Sequence, residues 1–303
     1  MEHVIRSKAN PRFKELLTLL RPGGAARTHT LLLGEKLIEA WRSAPHAGRL
    51  VPELLLVKEE SNVPDWALEL MVPVQWLGEK LMGELGDAAS PPPCALLLRL
   101  GPEPGGPLKN RVIVPWGIQD PGNLGAIFRS AAAFGFQEAL LGPGCADPFS
   151  PKALRGSMGA AFLLAIRRIQ TLDAGADINE GGPPGRFAPS TSHLSAARAS
   201  SRSQARGAGN PPLVLPHVVP GQSPDITSGN WFALDGGADS IPLADAELVE
   251  PLRILVGNEG HGWKHESLPA AVQRVAIPTI GVESLNAAVA AGIACHEVQR
   301  RMS

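Results

Sequence analysis

The sequence predicts an α/β protein whose chemistry sits at one edge of a sheet. Three observations carry the prediction. The runs DPGNLGAIFRSAAAFG (120–135), ILVGNEGHG (254–262) and IPTIGVESLNAAVAAG (277–292) each place a loop rich in Gly, Asn, Glu and Ser directly after an apolar, strand-like segment. In an open α/β sheet, ligands bind in the crevice outside the carboxyl ends of the strands, so three such loops can converge on one pocket.

The elements follow in order. From Asn10 the spacing of Phe13, Leu16, Leu17 and Leu20 is helical, with Asn10-Pro11 as a cap followed by a first-turn proline. A second helix is expected over 35–41, a strand over 54–57 and a short apolar segment near 72–77, the alternation of a compact α/β unit. Pro91-Pro92-Pro93 and residues 101–107 break the chain around a strand-like segment at 95–100, and the domain boundary is expected near Ser90. This gives a first domain over 1–90 and a second over 91–303. The second opens with a buried strand at 111–115 and continues with the first run, a strand near 138–141 and a segment over 150–166. Between about 171 and 229 the periodicity fails. That stretch is rich in Ser, Ala, Gly, Pro and Arg and is expected to be a poorly packed or disordered insertion. Arg186, Arg198, Arg202 and Arg206 within it suit either a neutral surface or an RNA tether. Order resumes at 231–234.

Bulk composition narrows the classes. With 303 residues, 44% of them hydrophobic, the chain is long enough for two domains, each with its own core. No uninterrupted apolar run approaches the roughly 20 residues that cross a bilayer, and the charged amino terminus lacks a following apolar signal core. A cytoplasmic protein without membrane contact is therefore expected. Cys94, Cys145 and Cys295 are far apart and lack the paired spacing of a zinc site or a disulfide framework, so reduced thiols and no metal are expected. The formal net charge of −1 argues against a protein that coats nucleic acid by bulk electrostatics. The first 36 residues do carry a local excess of four positive charges, from Arg6, Lys8, Arg12, Lys14, Arg21, Arg27 and Lys36 against Glu2, Glu15 and Glu35. A solvated helix face and a phosphate-binding surface explain that run equally well.

In the first run Asp120-Pro121-Gly122-Asn123 is turn chemistry, and Asn123 is placed to cap a helix beginning at Leu124. At 100° per residue Leu124, Ile127, Phe128, Ala131 and Phe134 form a bulky stripe, while Arg129 lies opposite among Gly125, Ala126 and Ala133. Arg129 is either a surface charge or a planar, permanently charged fork for a phosphate diester. In the second run the G-x-x-G-x-G order of Gly257, Gly260 and Gly262 does not fit the dinucleotide fingerprint, which argues against a nicotinamide or flavin enzyme. Glu259 is either solvated or functional, and His261 and His265 lack the companion carboxylates of a metal site. In the third run Glu283-Ser284-Leu285-Asn286 precedes a helix of small residues, built for close packing. Ser284 reads as its N-cap or as a substrate-orienting hydroxyl. No base stands near it and no G-x-S-x-G elbow is present, so hydrolase chemistry has little support.

Taken in order, the three runs resemble the signature motifs of the SpoU/TrmH family of RNA ribose 2′-O-methyltransferases in the SPOUT superfamily. Asn123 and Arg129, Gly257 and Glu259, and Ser284, Leu285 and Asn286 fall on signature positions. VIRSKANPRFKELLTLL and LLLGEKLIEA are similar, more weakly, to the family's amino-terminal RNA substrate-binding domain. The resemblance implies a carboxyl-terminal SPOUT α/β domain with a deep trefoil knot, preceded by that small α/β domain. It implies S-adenosylmethionine as cofactor, held by Gly257, Ile277 and Leu285, with Asn123, Arg129, Glu259, Ser284 and Asn286 as catalytic residues. It further implies a homodimer acting on structured RNA, ribosomal rather than transfer. A catalytically silent relative that binds RNA or assists ribosome assembly is the alternative. In the expected reaction the ribose 2′-hydroxyl attacks a sulfonium methyl group in line, so alignment supplies much of the acceleration.

Overall fold

The computed structural model describes residues 4–20, 27–86, 90–170, 172, 229–258, 263 and 268–302. The first unit runs α1 (Pro11–Leu20), β1 (His29–Leu33), α2 (Glu35–Arg42), β2 (Leu50–Lys58), α3 (Ala67–Leu70), β3 (Val74–Leu77), α4 (Glu79–Gly86) and β4 (Cys94–Leu100). Its four strands lie in the order β1-β4-β2-β3, with β4 antiparallel to both neighbours and β3 parallel to β2. The Asn10 side chain accepts the Arg12 N–H at 2.9 Å, and Pro11, with no N–H to satisfy, opens α1.

The boundary expected near Ser90 falls too early. β4 pairs with β1 and β2, so the segment between the two proline-rich breaks completes the first sheet, and the change of sheet comes between Leu100 and Arg111. The burial pattern gives the reason: Cys94 to Leu98 are all buried, a run that needs cover on both faces and finds it only as an interior strand.

The second unit runs β5 (Arg111–Pro115), α5 (Pro121–Ala133), β6 (Glu138–Leu141), α6 (Pro151–Ser157), β7 (Ala165–Arg168), β8 (Asn230–Leu234), β9 (Ile241–Pro242), β10 (Leu252–Val256), β11 (Val272–Ala276) and α7 (Ala287–Met302). Seven strands, all parallel, take the order β7-β6-β5-β10-β8-β11-β9. The low-complexity stretch expected at 171–229, with its four arginines, lies outside the described residues apart from Leu172 and Gly229.

The core is layered by strand alternation. Ile113 and Ile254 face Leu124, Ile127, Phe128 and Ala131 of α5, while Val112, Val114 and Leu255 turn to the opposite face with Trp231 and Trp263. The small residues of α7 serve close packing as expected. Ala287, Ala291, Ala294 and Cys295 are buried, and a Cβ added at Gly292 would stand 3.3 Å from Ser130 Oγ of α5. The three cysteines are unpaired thiols. Among the described residues no helix is long and apolar enough to cross a membrane, and no cluster of His, Cys, Asp and Glu could hold a metal ion.

Candidate active site

Because every strand of the second sheet points the same way, the loops after β5, β10 and β11 all leave its carboxyl edge. β5 and β10 are neighbours in register, Pro115 opposite Val256, and the Trp116 N–H donates to Val256 O at 2.9 Å. The loop after β11 crosses the end of β8: a Cβ added at Gly236 would meet Glu283 O at 3.8 Å. The three runs that the sequence singles out thus share one edge.

The first loop differs from expectation at its cap. Asp120, not Asn123, is the N-cap of α5; its Oδ1 accepts the Asn123 N–H at 2.9 Å, and Pro121 takes the first helical position. An Asp-Pro pair starts a helix at once, so the capping signal belongs one turn earlier than the sequence reading placed it. Lys152 of α6 donates to Asp120 Oδ2 at 2.6 Å, and this ion pair, with the bond from the Asn123 N–H, holds the Asp120 carboxyl below its ordinary value. The change of cap frees the Asn123 side chain for other work.

That work is a bridge. Asn286 Nδ2 donates to Asn123 Oδ1 at 3.2 Å, tying the third loop to the first. Asn286 is also the residue that caps α7, its Oδ1 accepting the N–H groups of Ala288 at 2.9 Å and Val289 at 3.3 Å. The capping role considered for Ser284 therefore belongs to Asn286, two positions nearer the helix, and the Ser284 hydroxyl lies exposed on the loop.

Arg129 is exposed on α5 with no hydrogen-bond or ion-pair partner among the described residues. Gly125, which the sequence places beside it on a bare face, is buried against α6: a Cβ there would stand 2.7 Å from Ser157 N. The bare face therefore admits a neighbouring helix, and Arg129 emerges one turn beyond the contact.

The residues expected to hold the cofactor, Gly257, Ile277 and Leu285, lie in the loops that leave the carboxyl ends of β10 and β11. Gly257 is half-buried, and a Cβ there would stand 3.1 Å from the Trp263 ring, a tight contact that glycine avoids. Trp263 is fixed by its Nε1 donating to Leu234 O at 3.1 Å and by Arg274, which donates to Trp263 O at 3.1 Å and pairs with Asp235. Ile277 and Leu285 are half-buried apolar side chains. Glu259, His261 and His265 lie outside the described residues.

Between α5 and α7 runs an open groove of about 600 Å³ that includes Asn123, Ser130, Phe134, Val289, Ile293 and His296. Val289 and Ile293 are 51% and 40% exposed, and Phe134 meets His296 edge to face with centroids 5.4 Å apart. Sequence reasoning missed Asp120 and Trp263. The Asp-Pro pair was a usable signal for the first, whereas a single tryptophan after a glycine loop carries none for the second.

The basic amino-terminal run is partly neutralised. Arg6 pairs with Glu59, Lys8 with Glu84 at 2.6 Å, and Arg27 with Asp147 of the second unit.

The sequence profile of the SpoU rRNA Methylase family matches residues 110–182 and 226–296. The chain is 27% identical over 297 residues to the 23S rRNA (guanosine(2553)-2′-O)-methyltransferase RlmP of Bacillus subtilis, covering 97% of this chain and 98% of that one. It is 30% identical over 261 residues to the mitochondrial rRNA methyltransferase 3 of Mus musculus, covering 82% of this chain but 57% of that longer one. Several mitochondrial relatives are likewise matched over only about half of their length. The crystal structure of an AdoMet-bound rRNA methyltransferase from Sinorhizobium meliloti has the same fold, with a TM-score of 0.70 at 20% identity over 99% of this chain and 98% of that one. With the family profile matched on both sides of the low-complexity stretch and likeness to RlmP over nearly the full length of both chains, the chain belongs to the SpoU rRNA Methylase family.

Proposed function

We propose that this protein methylates one ribose 2′-hydroxyl of ribosomal RNA, and that the Asn123–Asn286 bridge, which ties the first and third loops together at the start of the helix that bears Arg129, is the feature that carries the reading. The relatives' names, which specify ribosomal RNA, support that target over transfer RNA. Gly257, Ile277 and Leu285 would hold S-adenosylmethionine, which when bound supplies an activated methyl group on a sulfonium.

The residues then have distinct work. The guanidinium of Arg129 keeps its proton at any physiological pH, so it acts as a fixed charge rather than a base. It grips a phosphate next to the reacting ribose and offsets the negative charge that develops on the 2′-oxygen. Asn123 and Asn286, held against each other, orient the ribose, and Ser284 and Glu259 complete the polar lining. The 2′-hydroxyl restricts the reaction to RNA.

The knot, the dimer and the location belong to the same proposal. β10 follows β8 and β9 in the chain yet lies between β5 and β8, and α7 packs on α5, a chain order that a trefoil-knotted domain would also have. The exposed Val289 and Ile293 along the groove suit pairing with the same surface of a second copy in a homodimer. The first unit, bearing Lys14 and Arg12, is read as the RNA substrate-binding domain of a cytoplasmic enzyme.

The test is methyl transfer from labelled S-adenosylmethionine to ribosomal RNA, followed by alkaline hydrolysis. A 2′-O-methyl group blocks attack on the adjoining phosphodiester, so the product survives as a labelled dinucleotide. Label released as a methylated base, or no transfer to any ribosomal RNA, overturns the reading.

A further inference from the structure

A Pro- and Gly-rich connector such as 101–110 ordinarily behaves as a hinge between domains. Here it is fastened along its length. Gly101 donates its N–H to Arg49 O at 2.7 Å, and the Glu103 carboxylate accepts the Arg168 N–H at 2.9 Å. Arg167 donates to Gly106 O at 2.7 Å and to Pro107 O at 3.2 Å. Glu138 Oε2 accepts the Lys109 N–H at 2.8 Å, and Arg253 donates to Asn110 O at 3.2 Å.

Glu138, Arg167 and Arg253 are all buried, with the Arg167–Glu138 pair at 2.5 Å. Glu138 opens β6 and Arg253 is second in β10, which puts the cluster at the sheet edge opposite the three loops. It touches none of the methyl-transfer residues. Burying three charges is costly, so a role is called for, and the backbone partners of Glu138 and Arg167 lie in the connector.

A second set of contacts joins the units directly. Arg27 pairs with Asp147, the Thr30 hydroxyl donates to Phe149 O at 2.5 Å, and a Cβ at Gly159 would stand 2.5 Å from Ala40 Cβ. The Arg49 guanidinium lies 5.2 Å from the Phe149 ring centre and donates to Ile166 O at 2.9 Å. One continuous buried cluster runs from Leu32, Ile38 and Leu96 of the first unit to Phe149, Leu154 and Phe162 of the second.

We infer that the two domains move as one rigid body, and that Arg27, Thr30, Glu138 and Arg167 are positioning residues that fix the offset between the amino-terminal sheet and Arg129 and so select the ribose that is methylated. The selection half rests on the proposed function, with the substrate a structured RNA long enough to touch both units. A hinged domain would present many offsets to such an RNA, and a rigid one presents a single offset.

The experiment compares wild type with Arg27→Met/Thr30→Val, which loosens the interface, and with Glu138→Gln/Arg167→Met, which loosens the connector. Solution X-ray scattering reads domain separation without reference to activity, and S-adenosylmethionine affinity reads the cofactor site. Sequencing of 2′-O-methyl positions reads fidelity. The expected result is a compact wild type and looser variants whose cofactor affinity is retained, with discrimination between the target and neighbouring riboses reduced about tenfold, the scale expected of small misplacements. An expanded wild type overturns the rigid-body claim, and unchanged scattering in both variants overturns the positioning role of these four residues. Looser variants with wild-type fidelity overturn the selection claim. A wild type that is compact yet transfers no methyl to RNA overturns the proposed function instead.

Discussion

Asn286 joins two motifs with one side chain: its Nδ2 donates to Asn123 Oδ1 at 3.2 Å while its Oδ1 caps α7 through Ala288 and Val289. The cap sets the start of the helix, and the bridge sets the distance between the two loops that, on the proposed function, flank the reacting ribose. Stability and the proposed catalytic role therefore meet at this residue and can be separated by substitution.

Asn286→Ala removes both roles and is expected to lower stability by about 1 kcal/mol, the usual worth of a cap, together with a large loss of methyl transfer. Asn286→Asp keeps a capping oxygen but loses the donor to Asn123. It should unfold at nearly the wild-type urea midpoint and still methylate poorly. Equal activity in Asn286→Asp and wild type would remove the bridge from the mechanism.

Arg129→Lys tests the fixed-charge role. Arg129 is exposed and lacks a partner among the described residues, so the change should leave the melting temperature and the cofactor affinity near wild type. A lysine gives one point charge where a guanidinium gives a planar fork, and single-turnover methyl transfer should fall about a hundredfold. Near-normal turnover would refute the role.

Much of this arrangement was legible in the chain. Strands at 111–115 and 138–141 are written as short apolar runs between turn residues, and they form as β5 and β6 with those bounds. Arg129 stands on its helix away from the bulky stripe, as the 100° spacing requires. The caps of α5 and α7 are not decided by the sequence because Asn, Asp and Ser are all good caps, and only the geometry of the turn decides among neighbours in a polar run. The strand 94–100 was assigned to the wrong domain because a proline cluster signals a break in the chain and not which sheet the next strand joins. The bridge between Asn123 and Asn286 spans 163 positions, and no local pattern encodes such a contact.

Gly125 predicts a steric result. Its place on α5 is closed by α6, with Ser157 N 2.7 Å from where a Cβ would stand. Gly125→Ala should overpack the seam and cost about 1–3 kcal/mol, read as a lower urea midpoint, even though alanine is the better helix former. An unchanged or raised midpoint would show that α6 is free to retreat.

The thiols predict inertness. Burial pushes Cys94 up to about 12 and raises Cys295 and Cys145 as well. Since the thiolate is the nucleophile, the folded protein should react slowly with a disulfide reagent at mildly alkaline pH and release three equivalents only on unfolding. A fast reaction of the native protein would contradict the burial.

The carboxyl end of the chain carries a pH signature. Glu297 on α7 accepts from Arg300 at 2.8 Å and from Arg301 Nε at 2.6 Å, and these bonds, Arg300 first, hold its carboxyl down to about 2 against an ordinary 4.5. Arg301 in turn donates to Leu243 O at 3.1 Å and Ala246 O at 2.5 Å, which pins the loop after β9 against α7. A carboxyl depressed in the folded state stabilises fully above its unfolded value and loses that contribution as pH falls through its folded value. The stability gap between wild type and Glu297→Gln should therefore be constant at neutral pH, begin to close near 4.5 and vanish towards 2. Urea midpoints of the two proteins measured down that range check the sign. A gap that widens on acidification would mean that Glu297 is not held as an anion by its two arginines.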